Sequence, residues 1–136
     1  MGMKRILVPI DGTERSMHSI DFIKTLFEKD SAEIVLINVK ELVLIDGMSV
    51  AEELKISQEL GEKILSKASS QLEGYNVKTV FTFGYAGDEI QRTADEEHMD
   101  VIVMTKSTKK GLTRMIGSVT VNVVRHAKCI VMIVPE

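Results

Sequence analysis

Gly117-Ser118-Val119-Thr120, near the end of this chain, joins a residue without a Cβ to small hydroxyl side chains, a pattern suited to holding an anion. Glycine lets backbone amides approach a ligand closely. A Ser/Thr-rich helix start adds unpaired N–H groups and the positive end of the helix dipole, both of which favour phosphate. The segment closes a loop that opens at Met104-Thr105 and carries Lys106, Lys109, Lys110 and Arg114, four cations placed to steer phosphate inward. The charge balance agrees: residues 1–100 hold 11 Lys/Arg against 19 Asp/Glu, whereas residues 101–136 hold 6 Lys/Arg and a single acid, Glu136. Positive potential is therefore gathered in the last quarter of the chain, which favours a local small-anion site. An overall charge of −3, two tyrosines and no tryptophan argue against nucleic acid as the partner.

Other reactive residue types do not assemble. His18, His98 and His126 are scattered, with no Cys/His/carboxylate spacing that would build a zinc site, so no protein-only metal site is expected. Asp95-Glu96-Glu97 reads as the solvated end of a helix rather than an acid–base pair. No nucleophile sits beside a base in any of these motifs, so dedicated catalysis is not expected. Cys129 is the only cysteine; it excludes an internal disulfide, fits a reducing compartment, and reads as a small hydrophobe beside the last strand.

These groups need a frame. With 136 residues, 44% hydrophobic and 27% charged, the chain has the size and balance of one domain over residues 1–136, with one core. Its apolar runs, such as Ile130 to Val134, are far shorter than the roughly 20 residues that cross a bilayer, so a cytoplasmic protein without membrane contact is expected. Lys4 to Ile10 is an apolar run without alternation, as suits a strand buried on both faces of a parallel sheet. Met17, Ile20, Ile23 and Phe27 then recur at helical spacing from about Ser16 to Glu28. A second strand over Ile34 to Val39, a long charged helix ending at Gly74, a third strand over Val77 to Phe83 and a helix from Asp88 to Glu97 follow. Val101 to Met104 and Ile130 to Val134 complete five strands. The crossover between the last two is rich in β-branched valine, which favours strand by propensity. Parallel neighbours must be joined across a face of the sheet, so a helix is expected there instead. The result is a doubly wound α/β fold with helices on both faces, which binds ligands at the carboxyl ends of its strands. That edge receives Pro9 and Asp11 from the first strand, Val39 from the second, and Met104 and Thr105 from the fourth.

Ile6-Leu7-Val8-Pro9-Ile10-Asp11-Gly12-Thr13, Asp100-Val101-Ile102-Val103-Met104 and the block Gly117 to Cys129 together resemble the universal stress protein family over essentially the full chain. The resemblance implies a Rossmann-like five-stranded sheet in order 3-2-1-4-5, and a homodimer through the fifth strand, Ile130 to Val134. In one branch it also implies ATP binding, with Mg2+ or Mn2+ accompanying the nucleotide, through a motif written G-x2-G-x9-G-(S/T). Carried over by position, Asp11 would bond the ribose or base, Pro9 and Val39 would line the adenine slot, and Gly117, Ser118 and Thr120, with Val119 between them, would hold phosphate. Thr105 and Thr108 stand where the first two motif glycines belong, and eight residues rather than nine separate Thr108 from Gly117. A β-branched residue resists φ > 0 and sets a Cβ where backbone should meet phosphate, which weakens ATP relative to an intact motif. Two functions follow from the resemblance: a nucleotide-binding (ATP or AMP) stress-response module acting as a dimer, or a dimeric interaction protein with a vestigial pocket.

Overall fold

The computed structural model describes residues 4–43, 45–106 and 117–135. Five strands, β1 (Lys4–Pro9), β2 (Ala32–Lys40), β3 (Asn76–Phe83), β4 (Val101–Thr105) and β5 (Ile130–Val134), form one sheet in the order β3-β2-β1-β4-β5. All neighbours are parallel. Four α-helices among the described residues cross over: α1 (Glu14–Leu26), α2 (Val50–Ser70), α3 (Ala86–Glu96) and α4 (Ser118–His126). The valine-rich crossover is thus helical, as topology required and propensity did not. Among the described residues, no helix is long and apolar enough to cross a membrane.

Both faces of the sheet are buried, which explains the unbroken apolar runs of its central strands. Ile6 and Val8 of β1 and Leu36 of β2 pack on one face with Ile20 and Ile23 of α1 and Leu65 of α2. Leu7, Ile37 and Ile102 pack on the other with Ile90 of α3 and Val123 of α4. Cys129 joins this second cluster, where burial, and then the nearby Asp95, push its thiol pKa up. It behaves as the small hydrophobe expected from sequence.

The centre of the sheet opens at its carboxyl edge for an identifiable reason. The β1–β4 ladder carries only the pairs Ile6↔Val101 and Leu7↔Ile102, while β1 pairs β2 through Pro9. The Ile10 N–H donates to Ile37 O at 2.8 Å, toward β2, so by alternation Pro9 faces β4. Proline has no N–H to extend that ladder. Asn38 Nδ2 donates to Ile10 O at 2.7 Å and closes the end of β1.

At the opposite edge, charges tie the strand starts together. The Arg5 N–H donates to Asp100 Oδ2 and the Asp100 N–H returns to Arg5 O, both at 2.8 Å. The Arg5 guanidinium reaches Glu33 at 2.5 Å and Glu97 at 3.4 Å, and Lys78 reaches Glu97 at 3.0 Å. The α3 terminus positions Glu97 through a left-handed His98 (φ 51°), with Met99 N–H bonded to Ala94 O and His98 N–H to Asp95 O. Lys78, by its hydrogen bond and then its charge, holds the Glu97 carboxyl below the usual range, with Arg5 and His98 adding smaller effects. A carboxyl whose pKa is lowered by folding stabilises the folded state above its unfolded pKa, and that contribution disappears as pH falls through the folded value. Wild type should therefore melt above Glu97→Gln at neutral pH, with the gap closing in the acid range and narrowing in salt. A gap independent of pH between 7 and 3 would show that Glu97 acts by packing alone.

Candidate functional site

An open cleft of about 450 Å3 lies at the carboxyl edge of the sheet. Its walls are Val39 and Glu41 at and beyond the end of β2, residues 84–88 where β3 turns into α3, and Ser118, Val119 and Asn122 on α4. The turn into α3 depends on Gly84, whose φ of +145° suits few side-chain-bearing residues, and whose N–H donates to Lys40 O at 3.1 Å. Gly87 is needed for a different reason: a Cβ there would stand 2.5 Å from Asn122 Oδ1, so α3 and α4 approach at a residue without a side chain.

The starts of α1 to α4 divide into two kinds. Thr13 Oγ1 accepts from Ser16 N–H at 3.2 Å to cap α1, and Ser49 Oγ accepts from Glu52 N–H at 3.1 Å to cap α2. On the cleft side, Tyr85 precedes the first turn of α3 and Gly117 that of α4, and neither residue makes a side-chain cap. Their first-turn N–H groups have no intrahelical acceptor. Charge separates the two: Asp88 and Glu89 sit in the first turn of α3, and no acid sits in the first turn of α4.

Of the residues named from sequence, Val39, Ser118 and Val119 line the cleft. Pro9, Met104 and Thr105 end the two central strands; Met104 and Thr105 are buried, and none of the three is part of the lining. The Thr105 carbonyl accepts from Thr120 Oγ1 at 3.0 Å, and the Lys106 carbonyl accepts from the Gly117 N–H at 2.9 Å. The Thr120 hydroxyl and the Gly117 amide thereby join the two ends of the basic loop. Asp11 Oδ1 accepts from Thr13 N–H at 2.9 Å and from Thr13 Oγ1 at 2.6 Å, shaping the entry to α1. Thr108, Lys109, Lys110 and Arg114 lie outside the described residues.

Sequence reasoning did not place Glu41, Tyr85 to Asp88 or Asn122 at the site. The glycines at 84 and 87 were the available signal, but both read locally as breaking the third strand, and Gly87 does not read as a contact point between helices. Among the described lining residues the charged groups are both acids, Glu41 and Asp88. No group of three or more His, Cys, Asp or Glu among the described residues could hold a metal ion.

Residues 2–135 match the sequence profile of the universal stress protein family. The chain belongs to that family. It is 29% identical over 140 residues to universal stress protein MJ0531 of Methanocaldococcus jannaschii, covering 98% of this chain and 82% of that protein. The solved structure of MJ0577, described as a test case for assigning biochemical function from structure, superposes with a TM-score of 0.81 at 29% identity, covering 100% of this chain and 98% of that one. A universal stress protein in complex with cAMP shares the fold at a TM-score of 0.75 and 19% identity, covering 99% and 98%.

Proposed function

We propose that this protein is a cytoplasmic stress-response module that binds an adenine nucleotide in the cleft between α3 and α4 and works as a homodimer. The observation that carries the reading is the convergence of two helix starts without side-chain caps on one cleft at the carboxyl edge of a doubly wound sheet. Three universal stress protein structures of the same fold are complexes with cAMP, dAMP and AMP, which supports a mononucleotide-sized occupant. Charge orients it. The phosphate belongs at the acid-free start of α4, on the N–H groups of Ser118, Val119 and Thr120. The ribose and base lie toward Val39, Glu41 and Asp88, whose carboxylates can accept from sugar hydroxyls. A Mg2+ or Mn2+ ion bound with a nucleoside triphosphate would rest chiefly on the ligand's own phosphates, neutralising them.

A second reading has its own support. The Gly117 amide and the Thr120 hydroxyl are spent inside the chain, and a buried Thr105 stands where a glycine would admit phosphate, as in a vestigial pocket. Acid extraction of the purified protein, followed by nucleotide chromatography and calorimetry with AMP and ATP with and without Mg2+, separates the two. Released adenine nucleotide or micromolar binding supports the first reading; absence of both establishes the second.

The dimer is inferred from the sheet edges. At one edge β3 carries Lys78, a charge that discourages further pairing, whereas β5 reads Ile130-Val131-Met132-Ile133-Val134 without a charge. Ile130 is 65% exposed. Antiparallel pairing of two β5 strands would cover that edge in a closed two-fold contact. Because Ile130 is exposed, Ile130→Lys should shift sedimentation toward monomer with little loss of fold stability. A wild type that stays monomeric at high micromolar concentration would overturn the dimer.

A further inference from the structure

We propose that Asn122 is a phosphate-contacting donor in the cleft and that Gln91 is the positioning residue that sets its polarity, an inference that rests on the nucleotide reading above. Gln91 Nε2 lies 3.2 Å from the backbone carbonyl of Asn122 and 3.2 Å from Asn122 Oδ1. A backbone carbonyl can only accept, so Gln91 must turn its NH2 toward it. That same NH2 meets the Asn122 side chain, where an opposing NH2 would set donor against donor. The Asn122 amide therefore presents Oδ1 to Gln91. One backbone carbonyl thus fixes the orientation of two side-chain amides that would otherwise be free to flip.

Gly87 completes the arrangement, since a Cβ there would meet Asn122 Oδ1 at 2.5 Å and Cγ at 2.7 Å. With Oδ1 held between Gln91 and Gly87, Nδ2 is the remaining branch, and it has no protein partner among the described residues although Asn122 lines the cleft. It is also the only side-chain N–H donor among the described lining residues, the rim acids Glu41 and Asp88 offering acceptors. Asn122 follows Ser118 by four residues, on the same helix face and about 6 Å along the axis. Helical side chains lean toward the helix N-terminus, which brings Nδ2 back toward the first turn of α4. A phosphoryl oxygen held at that turn receives backbone N–H groups from one side and the Asn122 NH2 from below.

The test compares AMP with adenosine, which differ by the phosphate, in calorimetric titrations of wild type, Asn122→Ala, Gln91→Met and Gln91→Glu. Asn122→Ala should weaken AMP about tenfold, as loss of a hydrogen bond to a charged group does, and leave adenosine unchanged. Gln91→Met frees the amide to rotate and should cost AMP less. Gln91→Glu offers only acceptors, draws the Asn122 NH2 away from the cleft and should cost AMP at least as much as Asn122→Ala, in high salt as well as low. In 15N-labelled wild type, the Asn122 side-chain NH2 signals should shift with AMP and not with adenosine, a readout that survives even where a variant fails to fold. An unchanged AMP-to-adenosine ratio in Asn122→Ala, or NH2 signals indifferent to AMP, overturns the role of Asn122 while leaving nucleotide binding intact. Wild type that binds neither AMP, ATP nor adenosine overturns the nucleotide reading and this inference with it.

Discussion

Alanine in place of Gly61 is expected to destabilise the protein by about 2–3 kcal/mol, at the upper end of what overpacking costs. The added Cβ would stand 2.3 Å from two atoms of the Phe81 ring and 2.9 Å from Asn38 Oδ1. Neither neighbour yields freely. The Phe81 ring is set edge-on to Phe83 with centroids 5.1 Å apart, and Asn38 is held by its bond to Ile10 O. On propensity alone the substitution should stabilise α2 by about 1 kcal/mol, so a measured loss isolates the steric effect. Urea denaturation of Gly61→Ala, Phe81→Leu and the double variant forms the cycle that checks it. Phe81→Leu should recover part of the loss in the alanine background, giving strong non-additivity. A Gly61→Ala protein as stable as wild type would mean that α2 rides higher on β2 and β3 than these contacts indicate.

Ser118→Glu should separate ligand binding from folding. Ser118 opens α4, in a first turn that carries no acid, and a carboxylate near a helix N-terminus stabilises the helix by about 0.3–1 kcal/mol. Stability should therefore hold or rise. The same carboxylate competes with phosphate for the first-turn amides. Two like charges about 5 Å apart repel by roughly 3 kcal/mol at the effective dielectric of a protein surface, so AMP affinity should fall about a hundredfold. Calorimetry beside a thermal melt reads both quantities. Equal AMP affinity in the two proteins would remove the phosphate from the α4 start.

The sheet was legible because buried parallel strands leave a plain mark: Ile6 to Pro9, Ile34 to Ile37 and Ile130 to Val134 are apolar without alternation, and each lies within a strand. The α4 helix was legible only through topology, since Val119, Val121, Val123 and Val124 argue locally for strand and the need to cross the sheet overrides them. Boundaries moved where a cap or contact decided them. Thr13 caps α1 and starts it at Glu14, ahead of the start near Ser16 that the apolar stripe from Met17 suggests. The α3 helix starts at Ala86 because Gly87 belongs to it and meets α4. The part of the site carried by the Gly117 motif was visible as a local string of residue types. The remainder was not, because Glu41, residues 84–88 and Asn122 reach the cleft from three separate elements, and Gln91 acts on Asn122 across 31 residues of chain. No local pattern encodes that meeting.

The division of helix starts also has a kinetic side. On one face of the sheet, α1 and α2 carry their first-turn partners in their own side chains, at all times. On the other, α3 and α4 must borrow theirs from solvent or from an occupant of the cleft. Amide protons at 86–88 and 118–120 should then exchange with deuterium sooner than those at 14–16 and 50–52, and slow when the cleft is filled. A single small molecule would quench fraying in two helices at once. Because β5 begins only four residues beyond the end of α4, the rigidity it confers would be delivered to the edge where a second copy would pair.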